Sequence, residues 1–281
     1  MISFRKIDAL KKKLSSLRAL GKSIGFVPTM GALHQGHLEL IKRAVDENDF
    51  CVCSIFVNPI QFNNKKDLEK YPCDLETDFK KLKSVGCQLV FVPDNTQMYP
   101  EPDLTQFDFG YLDKILEGEF RPGHFNGVAV VVKKLFEIIE PQRAYFGEKD
   151  FQQLAIINQL VKVEKMKVEI IPCPIIREAD GLAMSSRNAR LTDKERDTAP
   201  AIYQNLLVIK NLFNGQNAEE LKRNAIVHLN SLDGMKVEYL EIVDDSSLLP
   251  LQDENATNIN SIALIATFLG EVRLIDNIRL G

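Results

Sequence analysis

Residues 24–41, IGFVPTMGALHQGHLELI, constrain this chain more than any other stretch. Residues 24–27 form a short apolar strand, and Pro28, which has no N–H to donate, is expected to stop its ladder. Gly31 and Gly36 let the backbone turn and come close to a ligand. Leu38, Ile41 and Val45 then fall on one face of an amphipathic helix. His34 and His37 sit at the helix start, three residues apart and so on one side of its first turn. Free N–H groups at a helix N-terminus attract anions. Two imidazoles beside them suit a phosphate whose charge is changing. A capping or solvent-facing role is the alternative for either histidine taken alone. The fingerprint GxGxxG is absent, which argues against an NAD-type Rossmann domain.

The chain downstream repeats the strand-then-helix pattern. Residues 50–58, FCVCSIFVN, are a near-continuous apolar run, as in a strand buried on both faces of a parallel sheet. Ligands of open parallel sheets bind beyond the carboxyl ends of the strands. Gln61 lies three residues past this strand and offers an amide there, unless it is a surface-loop glutamine. Residues 74–86 read as a helix with Leu75, Phe79 and Leu82 inward, ended by Gly86. A strand follows at 88–92, then a long proline-containing segment to Gly123. Arg121 and His124 flank that glycine just before a helix with Val128, Val131, Val132, Leu135 and Ile139 inward, and His124 serves there either as a cap or as a ligand group. Residues 143–147 form a strand ending in GEKD, with Asp150 able to cap the helix that follows. Lys149 therefore stands at a strand end beside a helix start, a place for a lysine that holds phosphate oxygens or for a solvated turn. Gln153 is one turn into that helix. A strand is expected at 168–171, a boundary at Pro172 and Pro174, and a short strand to Ile176. Ser185, Ser186 and Arg187 then combine hydroxyls with a guanidinium, chemistry that grips a triphosphate.

Beyond Leu191 the texture changes. Thr192 is expected to cap a helix with Ile202, Leu206, Ile209 and Phe213 on one face, and Asn217 to start another with Leu221, Ala225 and Leu232. Three strands follow, at 236–243, 261–268 and 271–278, making a small α+β domain. The predicted organisation is a Rossmann-like parallel-sheet domain over residues 1–176 and a smaller C-terminal α+β domain over 177–281. The net charge of −4 gives a nucleic-acid partner no electrostatic support. The five cysteines lack CxxC spacing, and Cys51 and Cys53 share one face of a strand, so buried thiols and a reduced cytoplasm are expected. No apolar run is long enough to span a bilayer, so no membrane partner is expected.

Six stretches in order carry a resemblance: PTMGALHQGH (28–37), SIFVNPIQF (54–62), RPGHFNGV (121–128), FGEKDFQQL (146–154), MSSRN (184–188) and RLIDN (273–277). Together they resemble the pantoate–β-alanine ligase family, within the HxGH nucleotidyltransferases related to class I aminoacyl-tRNA synthetases. MSSR stands where those synthetases carry a lysine–serine loop. The resemblance implies a homodimer that joins (R)-pantoate and β-alanine, consuming ATP with Mg2+ and passing through pantoyl adenylate to pantothenate, AMP and pyrophosphate. It implies that Met30, Gly31, Ala32, Leu33, His34, Gln35, Gly36 and His37 line the nucleotide site, with His34 and His37 at the phosphates. Gln61 and Gln153 would hold pantoate, with Gln61 also near β-alanine. Gly147, Glu148, Asp150, Ile176 and Met184 would contact the nucleotide, while Lys149, Ser185, Ser186 and Arg187 would neutralise phosphate and pyrophosphate. Asp78 is a candidate magnesium ligand. A related adenylyltransferase acting on phosphopantetheine or nicotinamide mononucleotide, and a regulatory nucleotide-binding module, are the alternatives. The neutral amides of Gln61 and Gln153 argue against the first, and the set His34, His37, Lys149 and Arg187 against the second.

Overall fold

Strand formation at the sheet's centre follows from side chains that are apolar on both faces. In the computed structural model, which describes residues 1–63, 65–251 and 260–281, the chain forms two units. The first comprises Met1–Glu148 and Gln152–Pro174. Its elements in order are β1 (Ile2–Phe4), α1 (Ile7–Ala19), β2 (Ile24–Thr29), α2 (Gln35–Glu47), β3 (Phe50–Ile55), α3 (Lys65–Glu69), α4 (Leu75–Ser84), β4 (Leu89–Phe91), α5 (Asn95–Met98), α6 (Glu117–Phe120), α7 (His124–Ile139), β5 (Arg143–Gly147), α8 (Phe151–Val163) and β6 (Glu169–Cys173). The six strands pair in the order β1-β4-β3-β2-β5-β6, all parallel. Phe26 and Val52 point toward α1 and α7, while Val27, Cys51 and Cys53 point toward α2 and α4. The central strands β2 and β3 thus bury both faces, and the expected buried thiols Cys51 and Cys53 lie in the core.

Chain direction across the sheet reverses between β2 and β5. From β2 the chain steps to β3 and β4, then returns to place β5 on the other side of β2. Such a switch point opens a crevice at the strands' carboxyl ends. The turn after β2 and the end of β5 at Gly147 both lie there.

Three expectations about prolines and strand ends fail, the first two for a reason of position in the sheet. Pro28 does not end β2: it sits in register with Ser54, and the strand runs to Thr29. The β2–β5 ladder stops at Phe26, so by Pro28 one side of the strand is free and a missing N–H costs little. Pro172 likewise lies inside β6, opposite Phe146, because β6 is an edge strand. The short strand expected to reach Ile176 is absent, replaced by an isolated bridge between Arg177 and Ala183. The N-terminal edge strand β1, three residues long, carries no periodic signal and is an addition.

The second unit comprises Lys149–Phe151 and Ile175–Gly281. It contains α9 (Asp193–Thr198), α10 (Ala201–Leu212), α11 (Ala218–Asn230) and an antiparallel sheet of β7 (Met235–Asp244), β8 (Ser261–Leu269) and β9 (Val272–Arg279), ordered β7-β8-β9. Ile202, Leu206 and Ile209 of α10 and Leu221, Ala225 and Leu229 of α11 pack with Leu240, Ile242, Ala263 and Ile265 of the sheet. Thr192 does cap, in a reciprocal capping box with Glu195. The helix it caps is short, however: Pro200 separates α9 from α10, because a proline cannot continue the hydrogen-bond ladder of the helix before it. His228 is structural, its Nδ1 lying 3.0 Å from Oδ1 of Asn205.

Candidate active site

In the first unit the site begins where β2 ends. Thr29 leads through Met30 into Gly31 and Ala32, both with positive φ (81° and 49°). His34 is extended and occupies the N-cap of α2. His37, one turn on, accepts the backbone N–H of His34 at its Nδ1, 3.3 Å away. A ring nitrogen that accepts a hydrogen bond carries no proton, so the neutral His37 ring has its proton on Nε2. The two rings lie against each other, their centroids 4.0 Å apart and their planes tilted by 41°.

Gln61 is no surface glutamine. It is buried at the end of the 3₁₀ turn Pro59–Gln61. Its Oε1 accepts from Asn58 Nδ2 (3.1 Å) and its Nε2 lies 3.2 Å from the Met30 sulfur. The ends of β2 and β3 therefore meet through these two side chains. Asn58 is itself fixed: its Nδ2 donates to the Gly127 carbonyl (3.1 Å) and its Oδ1 accepts from Tyr99 Oη (2.8 Å). The amide of Gln61 is consequently oriented oxygen-inward, with its NH2 on the Met30 side. His124 Nδ1 donates to the Gln61 carbonyl at 2.8 Å, which makes it a brace for this turn. Gly127 lets α7 approach: a Cβ there would lie 2.6 Å from the Ile60 carbonyl oxygen and 2.8 Å from Gln61 Cα.

Asp78 is not an open metal ligand. Its two carboxylate oxygens accept the N–H groups of Ala32 (2.9 Å) and Leu33 (2.8 Å). Lys81, on the same helix, donates to the Leu33 carbonyl. No group of three or more histidine, cysteine or acidic side chains that could hold a metal occurs among the described residues. Arg121 pairs with Glu117 at 3.4 Å. Gln153 is half-buried on α8, whereas its neighbour Gln152 is buried and ties down residues 112–117 through Leu112, Ile115 and Glu117. Gly147 closes β5 and Glu148 opens the next 3₁₀ turn.

In the second unit, Lys149 precedes Asp150, with Nζ 4.0 Å from its carboxylate, and the Lys149 carbonyl accepts from Asn277 Nδ2 at 3.0 Å. Ile176 accepts the Met184 N–H through its carbonyl (3.0 Å). Ser185 Oγ accepts the Arg187 N–H at 3.2 Å, capping the 3₁₀ turn Ser186–Arg190. Ser185, Ser186 and Arg187 are half-buried. The root of this loop is Arg177, which makes two bonds to Asp276 (2.6 and 3.0 Å), others to the Gly181 and Asn277 carbonyls, and lies 3.8 Å over the Tyr203 ring.

Residue-level reasoning thus missed Asn58, Tyr99, Gly127 and Lys81, which hold the first half, and the Arg177–Asp276 pair, which holds the loop. A glycine inside an otherwise valine-rich helix was a usable signal for Gly127; the others carried none.

Sequence comparison decides what these parts belong to. A family profile described as Pantoate-beta-alanine ligase matches residues 2–279. The chain belongs to the pantoate-beta-alanine ligase family. Curated relatives include the pantothenate synthetase of Bacteroides fragilis (strain YCH46), 50% identical over 273 residues, which cover 97% of this chain and 96% of that one. The pantothenate synthetase of Porphyromonas gingivalis (strain W83) is 50% identical over 276 residues, covering 98% of each. The crystal structure of pantothenate synthetase from Thermus thermophilus superposes with a TM-score of 0.92 at 41% identity, covering 100% of this chain and 99% of that one. A pantoate-beta-alanine ligase from Francisella tularensis, complexed with beta-gamma ATP and beta-alanine, superposes with a TM-score of 0.84 at 39% identity, covering 100% and 98%. The chain is accordingly a ligase, with the α/β fold of its family plus a smaller α+β part. No helix among the described residues is long and apolar enough to cross a membrane.

Proposed function

We propose that this pantoate-beta-alanine ligase works by adenylation: a pantoate carboxylate oxygen attacks the α-phosphorus of ATP, pyrophosphate leaves, and pantoyl adenylate forms. The amine of β-alanine then attacks the acyl carbon, loses a proton, and displaces AMP. The observation that carries this reading is the adjoining pair His34 and His37 at the start of α2, with Gln61 fixed against Met30 at the neighbouring strand end. A carboxylate attacking a polyanion needs alignment and charge neutralisation more than a covalent group. Residues 30–37 take the nucleotide, with the Nε2–H of His37 directed at phosphate. Gln61 and Gln153 hold pantoate, Gln61 also meeting β-alanine. Gly147, Glu148, Asp150, Ile176 and Met184 contact the nucleotide, and Lys149, Ser185, Ser186 and Arg187 take up phosphate charge. Residues 1–176 supply the nucleotide and pantoate sites, and residues 177–281 act as a lid carrying the MSSR loop. Magnesium enters with ATP, held by phosphate oxygens and water, since Asp78 is already occupied. A homodimer in the cytoplasm completes the proposal; the five unpaired thiols fit that compartment.

The test is pantoate-dependent exchange of labelled pyrophosphate into ATP with β-alanine absent. Exchange is expected, and complete reactions are expected to release AMP. ADP appearing in proportion to product would sink the adenylate route. Gln61→Ala is expected to weaken pantoate binding far more than ATP binding, because its amide is assigned to the acid while the nucleotide has the many contacts of residues 30–37 and of the MSSR loop. Separate titrations of the two ligands check it; equal losses would mean the amide is assigned to the wrong substrate.

A further inference from the structure

Four successive backbone N–H groups in the turn after β2 already have acceptors inside the protein. Gly31 donates to Thr29 Oγ1 (3.2 Å), Ala32 and Leu33 to the two oxygens of Asp78, and His34 to His37 Nδ1. A glycine-containing turn between a strand and a helix usually offers such groups to a ligand's phosphate. Here a resident carboxylate takes that place. Asp78 is only 2% exposed, and a buried carboxylate is held only where donors satisfy it. Gly31 makes the approach possible: a Cβ on it would lie 3.0 Å from Asp78 Oδ2. Three residues along α4, Lys81 donates from Nζ to the Leu33 carbonyl at 2.5 Å. One face of α4 therefore grips the turn at both its donor and its acceptor sides.

We propose that Asp78 and Lys81 are positioning residues that pre-form the His34–His37 turn without ligand, so that this turn meets the nucleotide through its side chains and not through the amides of residues 31–34. The proposal rests on the adenylation reading only for the phosphate-facing role of His37. Pre-forming the turn fixes the tautomer of His37, because its Nδ1 stays paired with the His34 N–H and its proton stays on Nε2. Losing the carboxylate frees residues 32–33, lets His34 move, and breaks that pairing.

The experiment compares wild type with Asp78→Asn, which turns one acceptor oxygen into a donor facing a backbone N–H. Long-range nitrogen–proton spectra of the histidine rings are recorded on the ligand-free protein, where only four histidines need assigning. Wild type is expected to show His37 as the Nε2–H tautomer, and Asp78→Asn a mixture. Pyrophosphate-exchange kcat is expected to fall about 10²-fold, the scale of loss for a small displacement of catalytic groups, with KM for pantoate little changed. Lys81→Met is expected to give a smaller change of the same kind, and Lys81→Arg to restore it; this pair carries the test if Asp78→Asn does not fold. An unchanged His37 spectrum with unchanged kcat overturns the proposal, as does a lowered melting temperature with full kcat per folded molecule. Absence of exchange in wild type would overturn the adenylation reading instead, and the ring spectra would still decide the positioning role.

Discussion

Replacing His37 with alanine is expected to lower kcat by about 10²–10³-fold, the usual loss when one preorganised donor to a developing charge is removed. The proposed donor is Nε2–H, and the ring is held by the N–H of His34 at Nδ1. The substitution also removes that acceptor from the N-terminus of α2, which costs about 1 kcal/mol of stability, as for other lost caps. The two effects separate with His37→Asn, whose short side chain still offers an oxygen near the helix start but no donor at the Nε2 position. Stability is expected to return toward wild type while kcat stays low. Steady-state kinetics with thermal unfolding checks both. Activity of His37→Ala close to wild type would remove the ring from the chemistry.

Arg177→Met is expected to destabilise the second unit by roughly 3–5 kcal/mol, the range found when one partner of a buried ion pair is removed. Asp276 lies on β9 with its carboxylate almost wholly enclosed, and its remaining backbone donor is the Asn277 N–H at 2.7 Å. Burial holds this carboxyl above the ordinary carboxylate range, against the opposing pull of the Arg177 guanidinium. Without Arg177 the shift grows. A carboxyl raised on folding favours the protonated form, so its stability contribution is present below the ordinary range and is lost as pH rises through the raised value. The defect in Arg177→Met should therefore be largest at neutral and higher pH and shrink in acid. Urea titrations at several pH values test this, and a pH-independent loss would assign the effect to packing against Tyr203. Arg177→Lys, which keeps the charge but not the planar fork, is expected to recover only part of the stability. Both variants should also lose activity under the proposed phosphate-holding role of Ser185 and Arg187, because Arg177 anchors their loop.

The turn and helix of residues 30–47, the strand at 50–55 and the three C-terminal strands were legible because each is contiguous and carries its own period. The proline positions were misjudged because the cost of a missing N–H depends on neighbouring strands. Nothing local to Pro28 or Pro172 says that β5 pairs only as far as Phe26, or that β6 is an edge. The same locality divides the candidate site. His34, His37, Gln61, Lys149 and the MSSR residues lie in short recognisable runs. Their supports lie far away in the chain: Asp78 is 45 residues from Leu33, Tyr99 is 41 from Asn58, and Asp276 is 99 from Arg177. Such partners are chosen by folding, and no spacing in the sequence announces them.

The two outermost strands of the large sheet share a property that matters between molecules. One border is β1, three residues long; the other is β6, with Pro172 in its fourth position. An exposed strand of ordinary length is a template on which a second chain can add its own strand. Here one template is too short to hold a visitor in register, and the other is interrupted by a residue with no N–H. These two borders should therefore disfavour strand addition by a second molecule. Lengthening β1 and replacing Pro172 together would build a sheet that keeps growing.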